Sequence, residues 1–326
     1  MRADRRLLAA AVLVVGLLAL PPLASAFGNP YLVTLVTRAL IYALAALALD
    51  FVMGYGRLVS FGHAAFLGLG AYTVGILNTH ALQALPLVGG WSGSNEALVA
   101  WPLAMLVAAA YALPVGAISL RTSGVYFIMI TLAFGQLVFY LFNSLSAYGG
   151  QDGLPLWLPN TVAGREMLEG PAFYYLCLGI LLVVWAFLQR VVRSPFGRVL
   201  VGCRENPRRM RALGYRPYPY QLAAFVLSAA LTGLAGALLA NQQTFVSPSL
   251  MHWSQSGELL VIVLLGGLAT LIGPIWGALA LLVLEEVLVT VTEHWQLVLG
   301  PLLVLVVLFF RNGLQGALDG RGARDD

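Results

Sequence analysis

The chain has 326 residues, of which 60% are hydrophobic and only 10% charged, and its mean hydropathy is +0.86. A soluble domain carries about 25% charged residues, so this composition excludes a soluble globule, a disordered chain and a secreted disulfide scaffold, and points to a polytopic membrane protein. The 18 basic residues against 14 acidic ones give a net charge of +4; all 18 are arginine, which excludes a lysine-dependent P-loop and places any ATP binding on another chain.

A helix crosses a hydrocarbon core of about 30 Å with about 20 apolar residues. Ten segments meet that demand, at 7–26, 31–53, 60–80, 97–120, 123–146, 172–192, 219–242, 256–272, 275–292 and 295–310. The expected fold is therefore an all-α integral membrane protein, a helical bundle of about ten transmembrane helices, with eight to ten compatible with the pattern. The last three are crowded around Gly273-Pro274 and Thr292-Glu293-His294, which leaves room for a re-entrant or broken helix.

Arginine placement tests the count, because short cytoplasmic loops are enriched in Arg and Lys. With ten alternating helices, Arg2, Arg5 and Arg6, then Arg57, Arg121, the cluster after the sixth span, and Arg311, Arg321 and Arg324 all fall on one side. The opposite loops hold only Arg165, beside Glu166 and Glu169. Both termini are thus expected in the cytoplasm. The first span has two readings. Three arginines, an apolar run over 7–20 and Ala24-Ser25-Ala26 resemble a cleavable signal peptide; alternatively Pro21-Pro22 ends a retained helix.

Ionisable residues at membrane depth are few. Arg38 and Asp50 lie twelve residues apart in the second span, about 18 Å along a helix, too far to pair with each other. Asp50 is placed near the cytoplasmic end and Arg38 near the opposite end, with Glu258 also near the external side. Adjacent Glu285 and Glu286 in the ninth span have Arg57 or Arg121 as candidate partners. Glycines and alanines recur through the spans, at Gly68, Gly70 and Ala71, at Gly233 and Gly236, and at Gly266, Gly267, Gly273 and Gly277, as close helix packing in lipid requires. A weak echo links 61–72 with 265–278, both rich in Gly-x-x-Gly spacings. Cys177 lies in an apolar segment and Cys203 in a basic loop, so they are not expected to pair, and no His, Cys, Asp or Glu cluster has metal-ligand spacing.

Eight of the 18 arginines fall between Arg190 and Pro219. Pro195 and Gly197 are read as breaking the helix that leaves the membrane. Asn206-Pro207 reads as a helix start, and Gly214 as its left-handed end, which predicts a short surface helix over 208–213 with Met210, Ala212 and Leu213 available to a groove. Arginines attracted to anionic lipid are the alternative.

This loop, with RENPRRMRALGYRPYPYQLAAFVLSAALTGLAGAL, together with GRLVSFGHAAFLGLGAYT (56–73), TSGVYFIMITLAFGQL (122–137) and GGQDGL (149–154), resembles the permease subunits of branched-chain amino acid ABC importers, the LivM type. The similarity covers most of 50–290. It implies a single transmembrane permease domain over 1–326 in the bacterial inner membrane, with a cytoplasmic coupling loop at about 193–218. The implied partners are a second, related permease, two cytoplasmic ATPases that bind ATP and magnesium, and a periplasmic substrate-binding protein. The chain itself would bind no cofactor, no metal and no nucleic acid, and would have no catalytic residue.

The resemblance assigns Arg204, Glu205, Asn206, Arg208, Arg209, Arg211, Ala212, Leu213 and Gly214 to ATPase coupling. Their match to the glutamate-alanine-glycine pattern of such importers is loose. Because the binding protein selects the substrate, the path is expected to be weakly polar, with Ser60, His63, Ser123, Tyr126, Thr131 and Gln136 as candidate lining. Ser123 and Tyr126 share a helix face, from which Thr131 and Gln136 drift. Asp152 either contacts the binding protein or steadies its turn. Two rival classes remain: a stand-alone ion-coupled transporter, hinted at by Glu285 and Glu286, and a membrane enzyme, for which no catalytic cluster is found. Within the importer class the substrate is a branched-chain amino acid or another small solute such as urea or an amide.

Overall fold

A computed structural model describes residues 2–26, 28–84, 86, 92–162, 164, 170–291, 294, 297–301 and 313–318, with side chains outside the description at 2–12 and 317–318. The helices are α1 (Arg2–Ala26), α2 (Tyr31–Asp50) continued by a π-helical turn (Phe51–Tyr55), α3 (His63–Gln83), α4 (Ala97–Ser119), α5 (Val125–Ser144), α6 (Gly170–Arg193), α7 (Pro195–Glu205), α8 (Pro207–Ala212), α9 (Pro217–Gln243), α10 (Trp253–Gly266) and α11 (Gly273–Val291). A two-residue strand β1 (Leu154–Pro155) pairs antiparallel with β2 (Phe245–Val246), Leu154 opposite Val246.

Six helices among the described residues are long and apolar enough to cross a membrane: α2 with its π turn, α4, α5, α6, α9 and α11. They fall on six of the ten expected spans, and the chain is a multi-pass, all-α membrane protein. The other expectations fare differently. The span at 7–26 falls on α1. The span at 60–80 begins only at His63, after a non-helical stretch over 57–62. The segment at 256–272 is helical only to Gly266, so α10 has 14 residues, about 21 Å, and its remainder is the non-helical connection to α11. The segment at 295–310 lies mostly outside the described residues, as do Arg165, Glu166, Glu169 and the C-terminal arginines.

Apolar burial drives little helix association in lipid, so packing rests on close approach. The core shows that directly. A Cβ on Gly236 would lie 1.8 Å from the carbonyl oxygen of Leu67, and one on Gly70 would lie 2.0 Å from that of Gly233, so α3 and α9 touch backbone to backbone. On the other side of α9, Ala100, Ala104, Ala108 and Ala112 of α4 are fully buried at intervals of four. Ala108 and Ala104 meet Gly233 there.

In the retained-helix reading Pro21-Pro22 ends the first helix, but α1 continues through them to Ala26. Each proline lacks the N–H that would bond the carbonyl four residues earlier, which frees Leu17 and Leu18. Two adjacent tyrosines of α6 supply the missing donors: Tyr174 Oη–H donates to Leu17 O at 2.7 Å and Tyr175 Oη–H to Leu18 O at 3.2 Å.

On the α9 C-terminal side, four asparagines brace the loops. Asn78 Nδ2 donates to Asn95 Oδ1 (2.8 Å) and Asn160 Nδ2 to the same oxygen (3.2 Å), while Asn241 Nδ2 donates to Asn160 Oδ1 (2.8 Å). Ser94–Glu96 and the 158–161 segment are thereby tied to α3 and α9.

Candidate functional site

Three of the six candidate path residues meet at the N-terminus of α3. His63 pairs with Ser228 eleven residues into α9, about 16 Å from that helix's start, so α3 begins near the middle of the bundle. Backbone N–H groups freed at a helix start must be satisfied internally where no water reaches them. Hydroxyls from two helices and from the 57–62 stretch do this. Ala64 N–H donates to Ser256 Oγ of α10 (3.0 Å), Phe61 N–H to Thr131 Oγ1 of α5 (3.3 Å), and Gly62 N–H to Ser60 Oγ (3.3 Å). Gly62 is obligatory there, because a Cβ would lie 2.6 Å from Thr131 O.

His63 Nε2 is 2.9 Å from Ser228 Oγ, and Ser228 Oγ–H donates to Ala48 O of α2 at 2.6 Å. The serine's one proton is committed to Ala48, so His63 must donate through Nε2–H, which leaves Nδ1 as an acceptor with no partner among the described residues. The ring is fully buried between the edges of Phe66 and Phe225. Ser60, His63, Thr131, Ser228 and Ser256 are all 0% exposed, so this node joins five segments of the chain as a closed polar joint.

The other three path candidates lie elsewhere. Ser123 precedes α5, which starts at Val125, and is exposed. Tyr126 is 73% exposed on an apolar outer face of α5 that also carries Val125, Met129, Leu137 and Tyr140. Gln136 is half-buried.

The charged groups of the spans sort into two sets. On one side, Arg38 stacks 5.6 Å from the Tyr42 ring and lies in the field of Glu258 and Glu285, while Tyr31 Oη–H donates to Glu286 Oε2 at 3.0 Å. Glu285 and Glu286 thus face α2 and not Arg57 or Arg121. On the other side, Asp50 is fully buried and accepts Ala269 N–H at Oδ1 (2.7 Å) and Leu271 N–H at Oδ2 (3.3 Å).

The arginine-rich connection is built as two helices, not one. Pro195 does not merely break a helix; it opens α7, capped by Ser194 Oγ accepting Gly197 N–H. Asn206 Oδ1 then caps α8 by accepting Arg209 N–H at 3.0 Å, and Gly214 closes the turn at φ +88°, as expected from the sequence. Met210 is half-buried and packs beneath Gly202, where a Cβ would meet its sulfur at 2.7 Å. Arg208, Arg209, Arg211, Ala212, Leu213 and Gly214 stand exposed, Leu213 by 63%. Glu205 is also exposed, whereas Arg204 turns inward and donates to Gly54 O of the π turn. A cleft of about 640 Å³ opens between this arm and the membrane helices, with Arg57, Arg121, Arg204 and Arg211 on its walls.

Asp152 ends a 3-10 turn (Gly150–Asp152) framed by Gly149 and Gly153, both at positive φ. Its carboxylate is exposed, and among the described residues only its backbone bonds within the turn, to Gly149 O at 3.0 Å. Sequence reading passed over Ser228, Ser256 and the asparagines. Each is a small polar residue in an apolar run, a signal shared with many that pack without partners.

The family model for "Branched-chain amino acid transport system / permease component" matches residues 31–308. The chain is 33% identical over 306 residues to the high-affinity branched-chain amino acid transport system permease protein LivM of Salmonella typhimurium, over 86% of this chain and 69% of that protein. It is 27% identical over 286 residues to the corresponding permease protein BraD of Pseudomonas aeruginosa, over 84% of this chain and 91% of the relative. It is also 27% identical over 245 residues to the autoinducer 2 import system permease protein LsrC of Salmonella typhi, over 69% of this chain and 70% of that one. No solved structure matches it.

Proposed function

The chain belongs to the family of branched-chain amino acid transport permease components, and from that premise we propose that it is one of two permeases of an ATP-driven importer in the bacterial inner membrane. It pairs with a second, related permease and forms half of the path for small amino acids, branched-chain ones first. Two separate ATPases bind ATP and magnesium, and a periplasmic protein delivers the substrate, with Asp152 on its contact surface. Residues 1–326 act as a single permease domain with both ends in the cytoplasm.

The observation that carries this reading is the α7–α8 arm. A six-residue helix capped at both ends costs little to order, yet it uses almost none of its side chains within its own chain. Arg208, Arg209, Arg211, Ala212 and Leu213 are left for a partner, and the absence of lysine puts nucleotide binding on that partner. ATP-driven motion of the ATPases would carry the arm as a rigid body and alternate access to a path between the two permeases. Ser123 and Tyr126 on the open side of α5 suit that path. Ser60, His63 and Thr131 act beside it, fixing where α3 begins.

Co-purification from native membranes through a tag on this chain tests the proposal. A second permease and two ATPase chains are expected. Recovery of this chain alone, folded, would overturn it in favour of a stand-alone ion-coupled transporter built on Arg38, Glu258 and Glu285. Uptake assays with leucine, urea and small amides in the assembled importer separate the substrates.

A further inference from the structure

The end of α2 touches both the coupling arm and the connection between α10 and α11. That connection is strained: Ala269 and Leu271 hold φ of +59° and +54° without being glycine. Asp50 holds both, one carboxylate oxygen on each amide. Tyr55 Oη–H donates to Ala269 O at 2.8 Å, so three hydrogen bonds from one turn of helix grip two residues of the loop. Gly54 lies between them. A Cβ there would sit 2.6 Å from Asp50 Oδ1 and 2.7 Å from Ala269 N, so the loop is pressed against bare backbone. The carbonyl of Gly54 accepts from the Arg204 guanidinium of α7. The segment that receives both grips, Phe51–Tyr55, is a π-helical turn, wound wider than the α-helix it extends and a frequent device at moving sites.

We infer that Asp50 is a positioning residue of the transport cycle: with Arg204 and the π turn it forms a joint that passes displacement of the coupling arm to the α10–α11 connection. This rests on the importer reading above, because only a docked ATPase displaces the arm. The chemistry suits a joint. A buried carboxylate with its charge shared over two amide donors gives strong, directional bonds, and a loop held in a sparsely populated conformation has another to relax into when they break. Arg204 therefore acts inward, unlike Arg208, Arg209 and Arg211, which face outward.

The connection is tested first on the full chain alone, in detergent, by hydrogen exchange. Arg204→Ala should speed exchange of the peptide spanning 267–272 by about tenfold or more, although the hydrogen bond of residue 204 goes to Gly54 and not to that peptide. Arg198→Ala, exposed on the same helix, should leave that peptide unchanged, and peptides of the α3–α9 contact should stay protected in both. Equal exchange in wild type and Arg204→Ala would overturn the joint.

Its use is then tested in vesicles holding the assembled importer, with leucine uptake and ATP hydrolysis measured together. Asp50→Asn keeps the shape but turns one acceptor into a donor facing Leu271 N–H. Uptake per ATP hydrolysed should fall at least about fivefold while hydrolysis persists. Tyr55→Phe, which removes one grip, should lower the same ratio by less. An unchanged ratio in Asp50→Asn would overturn the transmission role. Failure of the unsubstituted complex to hydrolyse ATP would sink the importer reading instead, and the exchange result would still decide the joint.

Discussion

The α3–α9 contact and the α7–α8 arm are both helical, and they are specified in opposite ways. In the first, neighbours within the chain dictate the positions: glycine lies against bare backbone between α3 and α9, α4 packs against α9 with alanine at every fourth place, and hydroxyls from neighbouring segments satisfy amides at the α3 start. In the second, five of the six residues of α8 are exposed, and three of those are arginine. The lesson is that the deep contact answers to folding, whereas the arm, under the proposed importer function, answers to a partner. Substitutions should therefore separate cleanly into those that lose the protein and those that lose only a partner.

The largest effect is expected at Gly236. Its Cβ in Gly236→Ala would overlap the Leu67 carbonyl, and neither helix can yield without displacing the His63 node. Overpacking costs about 1–3 kcal/mol where side chains can adjust and more where backbone must move. The variant should lose its monodisperse peak and its cooperative melt in detergent. Gly179→Ala in α6, where none of the described residues lies within 4 Å, should melt like wild type. Equal behaviour of the two would break the contrast.

Next in size is the reversal of Arg208, Arg209 and Arg211 to Glu. Association with the ATPases should weaken more than about tenfold, since three attractive contacts become repulsive. The melting midpoint should hold, because exposed substitutions away from caps stay within about 0.5 kcal/mol. Retained association would remove the docking role. A lowered midpoint would show that the arm serves its own chain after all.

Ser228→Ala sits between those extremes. It removes the acceptor of His63 Nε2–H and the donor to Ala48 O, both fully buried. Unsatisfied buried groups cost about 1–3 kcal/mol, so the fold should survive with a lower midpoint. An unchanged midpoint would mean that water enters the node. That would make Ser60, His63 and Thr131 part of an open path.

What could be read from the sequence divides along the same line. Signals confined to a few neighbouring residues were legible: the Asn206-Pro207 start and Gly214 end of α8, the glycine and alanine packing positions, and the six spans whose apolar runs match helix length. Signals shared between distant residues were not. Ser228 and Ser256 stand 165 and 192 residues from the α3 start that they complete. The two acceptors of Asp50 meet amides 219 and 221 residues away. Pro195 was read as a breaker because a proline gives the same local signal at the end of one helix and the first turn of the next. Pro21 and Pro22 misled for a related reason: their effect depends on donors 157 residues downstream of the two carbonyls they leave open.

Those prolines carry the smallest expected effect and decide whether α1 belongs to the packed region. Tyr174 and Tyr175 donate to the two carbonyls that Pro21 and Pro22 leave open, an arrangement of use only if α1 stays with the mature chain. Tyr174→Phe keeps the ring and its packing and deletes one donor. In apolar surroundings the stranded Leu17 carbonyl should lower stability by about 1 kcal/mol, and Tyr175→Phe, longer-bonded and more exposed, by less. If residues 1–26 are instead removed as a signal peptide, neither carbonyl is present and both substitutions become neutral. N-terminal sequencing of the purified chain gives the independent reading: a start after Ala26 together with neutral tyrosine variants would take α1 out of the fold. A start at the initiating residues with a measurable Tyr174→Phe loss would make it a permanent helix, held across a double proline by its neighbour.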